Sequence, residues 1–324
     1  MSIPAPTLTV IMATPHRCAA LRRPLRHLQN QTIREDIELV LLGPEESSFD
    51  DLDPSAVAGF ARCRTLAVGP ILEVERAFAP GIAVASAPVV ALLENHVYPE
   101  PGWGEAIVSA HQGPWEVVGN VISNANTATA TSCVEHLLSY AFHDEQAAAG
   151  EVERVSRNNS TYKRAALTAF GDRLPDLLAR DGGLLEELRR GGARFYRESQ
   201  ARLGHLNPSL MGPMLRLRLH SARASSATRA RTGRWSPGRR LLYVAASPLF
   251  PLLRIRALWS RLWSPRPRAL PRVMPLLLLA LLVDACGQAL GFALGEGSSA
   301  LTAARYDLDR EPFLTAADRT EFME

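Results

Sequence analysis

The chain has 324 residues, of which 47% are hydrophobic, and its formal net charge at pH 7 is +3. This composition excludes a mainly disordered protein, and the length suits one large α/β domain with an appendage. The four cysteines form no CxxC pair, which argues against a zinc cluster or a disulfide framework and predicts a reducing cytosol. The first residues show no basic segment followed by an apolar one, so we expect no signal peptide.

An alternation of strands and helices begins near the first residues of the chain. Residues 7–13 form an apolar run rich in β-forming residues, and residues 37–42 form a second, so each predicts a buried strand. Between them, residues 17–31 place leucines on one face of an amphipathic helix. A strand, a helix and a strand within this length predict a parallel sheet with helices packed on it.

A third strong strand is predicted at residues 88–93, and it runs directly into a polar triplet. The triplet is Glu94-Asn95-His96, and Pro101-Gly102-Trp103 follows shortly after it. In open α/β sheets ligands bind outside the carboxyl ends of the strands. We therefore expect the chemistry of this chain at residues 94–96.

Strands and helices continue to alternate up to about residue 212. The pattern predicts strands at 115–121 and 193–197, helices at 131–142, 164–170 and 184–190, and a polar loop or strand at 158–163. Beyond residue 212 the composition changes to arginine, leucine, proline and tryptophan. We therefore predict two domains, residues 1–212 and residues 213–324.

Several short motifs occur in a recognisable order. They are Ala13-Thr14-Pro15-His16-Arg17, Gln31-Thr32, the triplet at 94–96 with the Pro-Gly-Trp turn, and Asn159-Ser160-Thr161-Tyr162-Lys163-Arg164. Over roughly residues 7–210 this order resembles the family-2 glycosyltransferases. The resemblance implies a GT-A fold, which is an α/β, Rossmann-like domain with a mostly parallel central sheet and flanking helices. Here a C-terminal hydrophobic helical appendage would follow it.

The same resemblance implies an activity and its partners. The chain would transfer a sugar, with inversion, from a nucleotide-sugar donor to a lipid- or polysaccharide-linked acceptor. Three departures qualify this expectation. The Asp-Asp-Gly-Ser that often follows strand two is replaced by Leu42-Gly43-Pro44-Glu45. The usual Asp-x-Asp signature is Glu94-x-His96, and the usual Glu-Asp pair of the acceptor region is Asp181-Gly182. Either the site uses altered ligands, or this is a catalytically inactive GT-A domain that acts as a membrane-associated binding protein.

A divalent cation, Mg²⁺ or Mn²⁺, usually stabilises the leaving diphosphate of a nucleotide sugar. Glu94 and His96 are two residues apart at a strand end, so in extended backbone their side chains point the same way. They can share one ion, with His205 as a third ligand from the last strand, because manganese accepts imidazole nitrogen as well as carboxylate oxygen. The alternative is that Glu94 and His96 only form hydrogen bonds within a polar turn.

Other candidate residues follow from their positions in the matched motifs. Asp181 stands where the family places its acid, so it is the candidate base that takes the proton of the acceptor hydroxyl. Its alternative role is the N-cap of the helix at 184–190.

The donor itself is expected to contact residues after the first and third strands. Thr14, His16 and Asn95 are candidates for contacts to the donor, and Arg17 could pair with phosphate at the start of the first helix. Lys163 could neutralise an anionic donor, or could be a surface charge.

The last third of the chain predicts contact with a membrane. Residues 241–263 mix leucine and tryptophan with arginine, and residues 273–295 are nearly all apolar except for Asp284 and Gln288. Flanking arginines and tryptophans favour helices that lie in the membrane interface, although one span or a soluble helical pair remain alternatives. We expect a peripheral or monotopic protein on the inner, cytoplasmic face of the cell membrane.

Two other classes fit the sequence less well. A nucleotidyltransferase needs a glycine-rich phosphate loop after the first strand, and residues 13–18 contain no glycine. A nucleic-acid binder would present arginines in a recognisable module, whereas here they alternate with leucine and tryptophan. We therefore expect no nucleic-acid partner.

Overall fold

The computed structural model describes residues 5–144, 148–179, 183–262 and 270–323. These residues form two compact units. The first contains the described residues of Met1–Ala125, Phe142–Leu206 and Arg319–Glu324, and the second contains Asn126–Ala141 and the described residues of Asn207–Asp318. Residues 126–141 are thus part of the second unit, although they precede residue 212.

The first unit contains one sheet, which has nine strands in the described part of the chain. The strands are β1 (Leu8–Ala13), β2 (Ile37–Gly43), β3 (Arg62–Ala67), β4 (Val89–Leu93), β5 (Val97–Pro99), β6 (Val117–Asn124), β7 (Gly150–Val152), β8 (Thr161–Lys163) and β9 (Phe195–His205). Their order is β3-β2-β1-β4-β8-β6-β9-β5, and β7 also pairs with β9.

The first half of the sheet is parallel. Strand β1 lies between β2 and β4, and β3 flanks β2. Every residue of β1, β2 and β4 is buried, as expected for a parallel sheet that is covered on both faces. The carboxyl ends of β1 and β4 lie side by side, because Met12 pairs with Leu93.

The second half of the sheet is mixed. Strand β8 is antiparallel to both β4 and β6, and β5 and β7 are antiparallel to β9. Strands β6 and β9 are parallel, with an irregularity between Gly119 and Val121. The short strands β5 and β7 were not predicted, since three residues carry too little periodic signal.

Thirteen α-helices occur in the described residues. They are α1 (Arg22–Gln29), α2 (Val74–Val84), α3 (Trp103–Ala110), α4 (Ala130–Tyr140), α5 (Arg164–Thr168), α6 (Leu174–Ala179), α7 (Gly183–Arg190), α8 (Met211–Thr232), α9 (Pro237–Ala246), α10 (Phe250–Leu262), α11 (Leu270–Leu294), α12 (Ser299–Leu308) and α13 (Ala316–Met323). The helices predicted within residues 1–212 correspond to α1, α4, α5 and α7, with ends that differ by a few residues.

The first helix begins later than the sequence predicts. A 3-10 turn occupies Cys18–Leu21, and α1 starts at Arg22. Pro24 lies in the first turn of α1, where its missing N–H leaves no hydrogen bond unmade. Arg17 therefore precedes a 3-10 turn and not the α-helix.

The second unit is a set of helices built around α8 and α11. These two helices pack very closely where Gly287 and Gly291 face the backbone of α8. A Cβ atom at Gly291 would lie 2.3 Å from the Arg223 carbonyl oxygen, and one at Gly287 would lie 2.5 Å from that of Leu219. Small residues spaced four apart permit such close approach of two helices.

Asp284 interrupts the apolar sequence of α11, and the structure shows how its charge is accommodated. The Arg218 guanidinium donates to both Asp284 carboxylate oxygens, with Nε 2.9 Å from Oδ1. Arg218 also lies 3.6 Å from Glu135 Oε1 of α4. A buried charge is tolerated when it is paired and hydrogen-bonded. The ion pair with Arg218 therefore lowers the free-energy cost of burying Asp284 in an otherwise apolar helix.

Two stretches of the second unit are long and apolar enough to cross a membrane, by length and composition. They are Pro237–Trp259, with a mean hydropathy of 1.4, and Arg272–Leu294, with a mean hydropathy of 2.0. Only 11% of the first stretch and 33% of the second are buried within the protein. The predicted hydrophobic appendage is therefore present as helices with exposed apolar residues.

Glu38, on strand β2, is a buried carboxylate that holds the amino ends of β1, β2 and β3 together. Its Oε2 accepts from Thr9 Oγ1 at 2.7 Å and from the Ser86 backbone and hydroxyl at 2.7 and 2.9 Å, and its Oε1 accepts from Arg64 Nε at 3.2 Å. Burial alone would raise the pKa of Glu38, but the bonds from Ser86 and Thr9 and the charge of Arg64 outweigh it and lower the pKa below 4.5.

Replacing Glu38 by glutamine should reveal this lowered pKa. The folded state binds fewer protons than the unfolded state, so the stability due to Glu38 is present above pH 4.5 and is lost as the pH falls through the folded pKa. We expect Glu38→Gln to lower the free energy of unfolding by about 1–3 kcal/mol at neutral pH. The deficit should shrink as the pH is lowered, as measured by urea unfolding at a series of pH values. The exposed Glu35→Gln variant serves as control, and an equal deficit at every pH would contradict the assignment.

Candidate functional site

Three side chains with metal-binding atoms meet at the carboxyl edge of the sheet. Glu94 and His96 follow β4, and His205 ends β9. Glu94 Oε2 lies 3.7 Å from His96 Nε2 and 3.4 Å from His205 Nε2, and all three ligand atoms lie within 4.8 Å of one another. All three residues are buried. The predicted sharing of one site by Glu94, His96 and His205 is therefore geometrically possible.

The sheet topology brings His205 to the other two residues. Strand β5 begins at Val97, directly after His96, and Val97 pairs with His205 in antiparallel register. The Leu206 N–H donates to the His96 carbonyl oxygen at 3.0 Å, and the two imidazole rings meet edge to face at 4.8 Å. The short strand β5 therefore fixes the distance between the two histidines.

The Glu94 carboxylate is held by two consecutive asparagines that precede β8. Asn158 Nδ2 donates to Oε1 and Asn159 Nδ2 donates to Oε2, each at 2.6 Å. Asn159 Oδ1 in turn accepts from the Glu94 backbone N–H at 2.9 Å. Hydrogen bonds of this kind orient a carboxylate ligand and are part of most protein metal sites.

Asn159 is itself positioned by a buried polar chain. Its backbone has φ +61°, in the left-handed region that asparagine tolerates better than most residues. Its carbonyl oxygen accepts from Asn120 Nδ2, and Asn120 Oδ1 accepts from Trp103 Nε1 at 2.8 Å. Asn120 occupies the irregularity in β6, and such irregularities re-aim a side chain out of the regular ladder.

The Pro-Gly-Trp turn is fixed by the residues that follow α1. Gln31 Nε2 donates to the Glu100 carbonyl oxygen at 2.8 Å, and Gln31 Oε1 accepts from the Gly104 N–H at 2.9 Å. The Thr32 N–H donates to the Pro101 carbonyl oxygen at 3.0 Å. The Gln31-Thr32 motif thus positions Trp103, and through it the asparagines that hold Glu94.

The donor set and its spacing fit a divalent cation. Two neighbouring ligand atoms that bind one ion at about 2.1 Å lie about 3.0–3.5 Å apart, close to the 3.4 and 3.7 Å observed here. One carboxylate and two imidazoles favour Mn²⁺ over Mg²⁺, because Mg²⁺ prefers oxygen ligands. Between the two predicted ions, the residues present therefore suit manganese better.

The candidate donor-binding residues after β1 lie at the same edge of the sheet. Thr14 is buried, its N–H donates to the Leu42 carbonyl oxygen at 2.8 Å, and its hydroxyl donates to the Arg17 carbonyl oxygen. His16 and Arg17 are exposed. Because β1 and β4 are adjacent and parallel, the segment 14–17 leaves the sheet beside residues 94–96.

The other predicted residues are placed differently. Asn95 is buried, and its Oδ1 lies 2.9 Å from His96 Nδ1, so it orients that imidazole. Lys163 pairs with Val89, at the opposite end of β4 from Glu94, and its Nζ donates to the Gly113 carbonyl oxygen at 2.9 Å. The structure does not bring Lys163 to the cluster. Asp181 lies outside the described residues.

The asparagines that support Glu94 were missed as site residues by the sequence prediction. The segment beginning at Asn159 belongs to a matched motif, but within it only Lys163 is predicted to make a contact. The signal in the sequence is that Asn159 lies just before β8. Because β8 runs antiparallel to β4, the start of β8 lies beside the end of β4, where Glu94 follows. Asn120 gave no signal, because an irregularity in a strand leaves no periodic pattern in the sequence.

No protein-family model matches this sequence, and no curated protein sequence matches it. Solved structures do match by fold. One is GalNAc-T7 with UDP, GalNAc and Mn²⁺, with 15% sequence identity and a TM-score of 0.47 over 62% of this chain. This chain spans less than half of that structure, 43% of its length.

Another match is the mannosyltransferase PcManGT from Pyrobaculum calidifontis in complex with GDP-Man and Mn²⁺. The two chains share 17% sequence identity with a TM-score of 0.50, over 94% of this chain and 87% of that one. The described part of the chain accordingly has the GT-A fold, with hydrophobic helices after it. The predicted fold class is confirmed.

The support of Glu94 by Asn159 can be tested without straining the backbone. Glycine accepts the positive φ of position 159, so Asn159→Gly removes both side-chain bonds and keeps the turn. We expect this variant to bind Mn²⁺ about 10–100-fold more weakly than the unaltered protein, measured by titration calorimetry. The exposed Asn30→Gly variant is the matched control. Unchanged affinity in Asn159→Gly would mean that Asn159 does not orient a metal ligand.

Proposed function

We propose that this chain is a metal-dependent glycosyltransferase that takes a sugar from a nucleotide-sugar donor and transfers it to a lipid- or polysaccharide-linked acceptor. The observation that carries this proposal is the buried cluster of Glu94, His96 and His205 at the carboxyl edge of a GT-A sheet. Ligands of open α/β sheets bind at this edge, and the cluster offers the donors of a divalent cation site there.

In this proposal the three cluster residues hold the cation and keep it in place during the reaction. When bound, the cation supplies a Lewis acid that offsets the negative charge developing on the leaving diphosphate. The Asn158 and Asn159 amides keep the carboxylate turned toward the two histidines. Because the site is buried, electrostatic interactions within it are less screened than in water.

The donor would lie across the ends of β1 and β4. Thr14, His16 and Asn95 are the proposed contacts to the nucleotide, and the exposed Arg17 the proposed partner of a phosphate. The mannosyltransferase of the same fold holds GDP-Man and Mn²⁺, which makes these two ligand classes the first to test on this chain. Lys163 lies at the other end of β4 and is not part of the proposed donor site.

The acceptor hydroxyl needs a base, and we propose Asp181 for that role on the strength of its position in the sequence. The base would remove the proton as the hydroxyl attacks the sugar from the side opposite the diphosphate, which gives inversion. The catalytic domain in this proposal is residues 1–212.

We also propose that residues 213–324 attach the protein to the cytoplasmic face of a membrane, as a peripheral or monotopic protein. The supporting observation is the set of large apolar side chains that residues 237–294 leave exposed, which includes Leu241, Leu242, Leu249, Leu252, Leu253, Trp259, Leu278, Leu279, Leu282 and Leu294. Many large apolar side chains exposed on successive helices are typical of membrane or partner contact. Nucleotide sugars are made in the cytosol, which is consistent with this face.

Hydrolysis of UDP- and GDP-sugars in the presence of Mn²⁺ tests the proposed activity. We expect the unaltered protein to turn over one of these donors, and Glu94→Gln and His205→Ala each to lower the rate at least about 100-fold. The exposed Glu35→Gln variant should keep the full rate. Removal of the metal by EDTA should abolish turnover, and added Mn²⁺ should restore it.

Two outcomes would overturn the proposal in different ways. Tight, Mn²⁺-dependent binding of nucleotide without any turnover would favour an inactive GT-A domain that binds a ligand at the membrane. Turnover that is equal in Glu94→Gln and in the control would show that the cluster is not the catalytic metal site.

A further inference from the structure

The second unit contains a cavity of about 430 Å³ near the end of α8 and the start of α9. Arg231, Arg234, Trp235, Arg240 and Glu296 are among the residues that line it. Its volume is in the range of cavities that bind small ligands or head groups. None of these residues belongs to the metal cluster, which lies in the first unit.

The lining of the cavity carries excess positive charge. Arg231 is neutralised by Glu296, with 2.7 Å between NH1 and Oε1. Arg234 and Arg240 form no ion pair within the residues that the structure describes. Arg240 Nε is buried without a hydrogen-bond partner there. Two guanidinium groups without carboxylate partners favour an anion, and guanidinium geometry suits a phosphate group.

The backbone at Arg234 is held in an uncommon conformation. The Trp235 N–H donates to the Ala230 carbonyl oxygen at 3.0 Å and the Arg234 N–H donates to that of Arg231 at 3.1 Å, which is the Schellman ending of a helix. In this ending Arg234 has φ +48°, a backbone conformation in which glycine is the usual residue. The glycine here is instead Gly233, because a Cβ atom there would lie 2.4 Å from Trp235 Nε1.

The surroundings of the cavity are apolar and exposed. Arg240 is followed directly by Leu241 and Leu242, whose exposed fractions are 69% and 65%. Trp235 packs on Tyr243 with a ring distance of 4.4 Å, and the Arg239 guanidinium lies 4.4 Å above the Trp235 ring. Arginine, tryptophan and tyrosine beside exposed leucine are typical of the membrane interface, where head groups meet acyl chains.

We propose that this cavity binds the phosphate of an anionic phospholipid and so anchors the second unit on a membrane surface. Arg234 and Arg240 would contact the phosphate, and Leu241 and Leu242 would enter the acyl region beside it. The inference rests on the proposed membrane association and adds its lipid selectivity. It is independent of the metal cluster and of sugar transfer.

Vesicle co-sedimentation of the full chain tests this proposal. The vesicles are phosphatidylcholine alone, and phosphatidylcholine mixed with phosphatidylglycerol. We expect tighter binding to the mixed vesicles, and we expect Arg234→Gly and Arg240→Gln each to reduce that preference about fivefold. Arg305→Gln removes one exposed charge from α12 and is the matched control, for which we expect less than about a twofold change.

Arg234→Gly also separates a binding role from a structural one. Glycine adopts the positive φ of position 234 without strain. The melting temperature of Arg234→Gly should therefore equal or exceed that of the unaltered protein, while its preference for the mixed vesicles falls. A lower melting temperature together with unchanged lipid preference would overturn the proposal.

Three further results would each overturn the lipid site in a recognisable way. Equal losses of vesicle preference in Arg305→Gln and Arg240→Gln would show that binding depends only on the overall charge of the protein. Equal binding to both kinds of vesicle would leave membrane association intact without a phosphate site. Stabilisation by inorganic phosphate that depends on Arg234 and Arg240, without any vesicle binding, would identify a free phosphate as the ligand. In each case donor turnover, assayed separately, reports on the proposed transferase activity.

Discussion

A carboxylate held away from water is the constraint on which the site of this protein depends. Glu94 is buried, and a buried negative charge is tolerated only when hydrogen bonds or opposite charge compensate it. Two asparagine amides supply part of that compensation, and two imidazole nitrogens within 4 Å define where a cation would supply the rest. The cluster therefore offers the ligand atoms that a divalent cation site needs.

A continuous series of contacts supports Glu94 from elements that are distant in sequence. Gln31 fixes the turn that carries Trp103, Trp103 donates to Asn120, Asn120 donates to the backbone of Asn159, and Asn159 donates to Glu94. Buried polar networks in which every member is satisfied give a site a single geometry. Several of the motifs that resemble glycosyltransferases thus have a positioning role in this chain.

The parallel half of the sheet was predictable because its strands are buried on both faces. Strands of that kind are continuous apolar runs, as in β1, β2 and β4, and the residue that follows such a run lies at the ligand-binding edge. Glu94 and His96 do lie close together, but β4 ends at Leu93 and the chain turns at residues 95–96, so the turn and not the period of two along a strand brings them together. The sequence of α11 predicted an apolar helix, but not that Arg218 would neutralise its Asp284.

The mixed half of the sheet was less predictable, for physical reasons. Strands β5 and β7 are three residues long and β8 is equally short, so their pairing depends on neighbours that the local sequence does not reveal. Strand β9 continues through residues 198–202 despite a register shift against β6. That shift lies at Asn120, whose side chain is part of the support of Glu94, and it is not encoded as a periodic pattern.

The central claim is that Glu94, His96 and His205 together hold one divalent cation. Crystals grown with Mn²⁺ and GDP, measured at the manganese absorption edge, test this claim most directly. We expect one strong anomalous peak about 2.1–2.3 Å from Glu94 Oε2 and from the Nε2 atoms of both histidines. A fully occupied manganese site elsewhere in the chain, with the three side chains hydrogen-bonded only to protein or water, would contradict it.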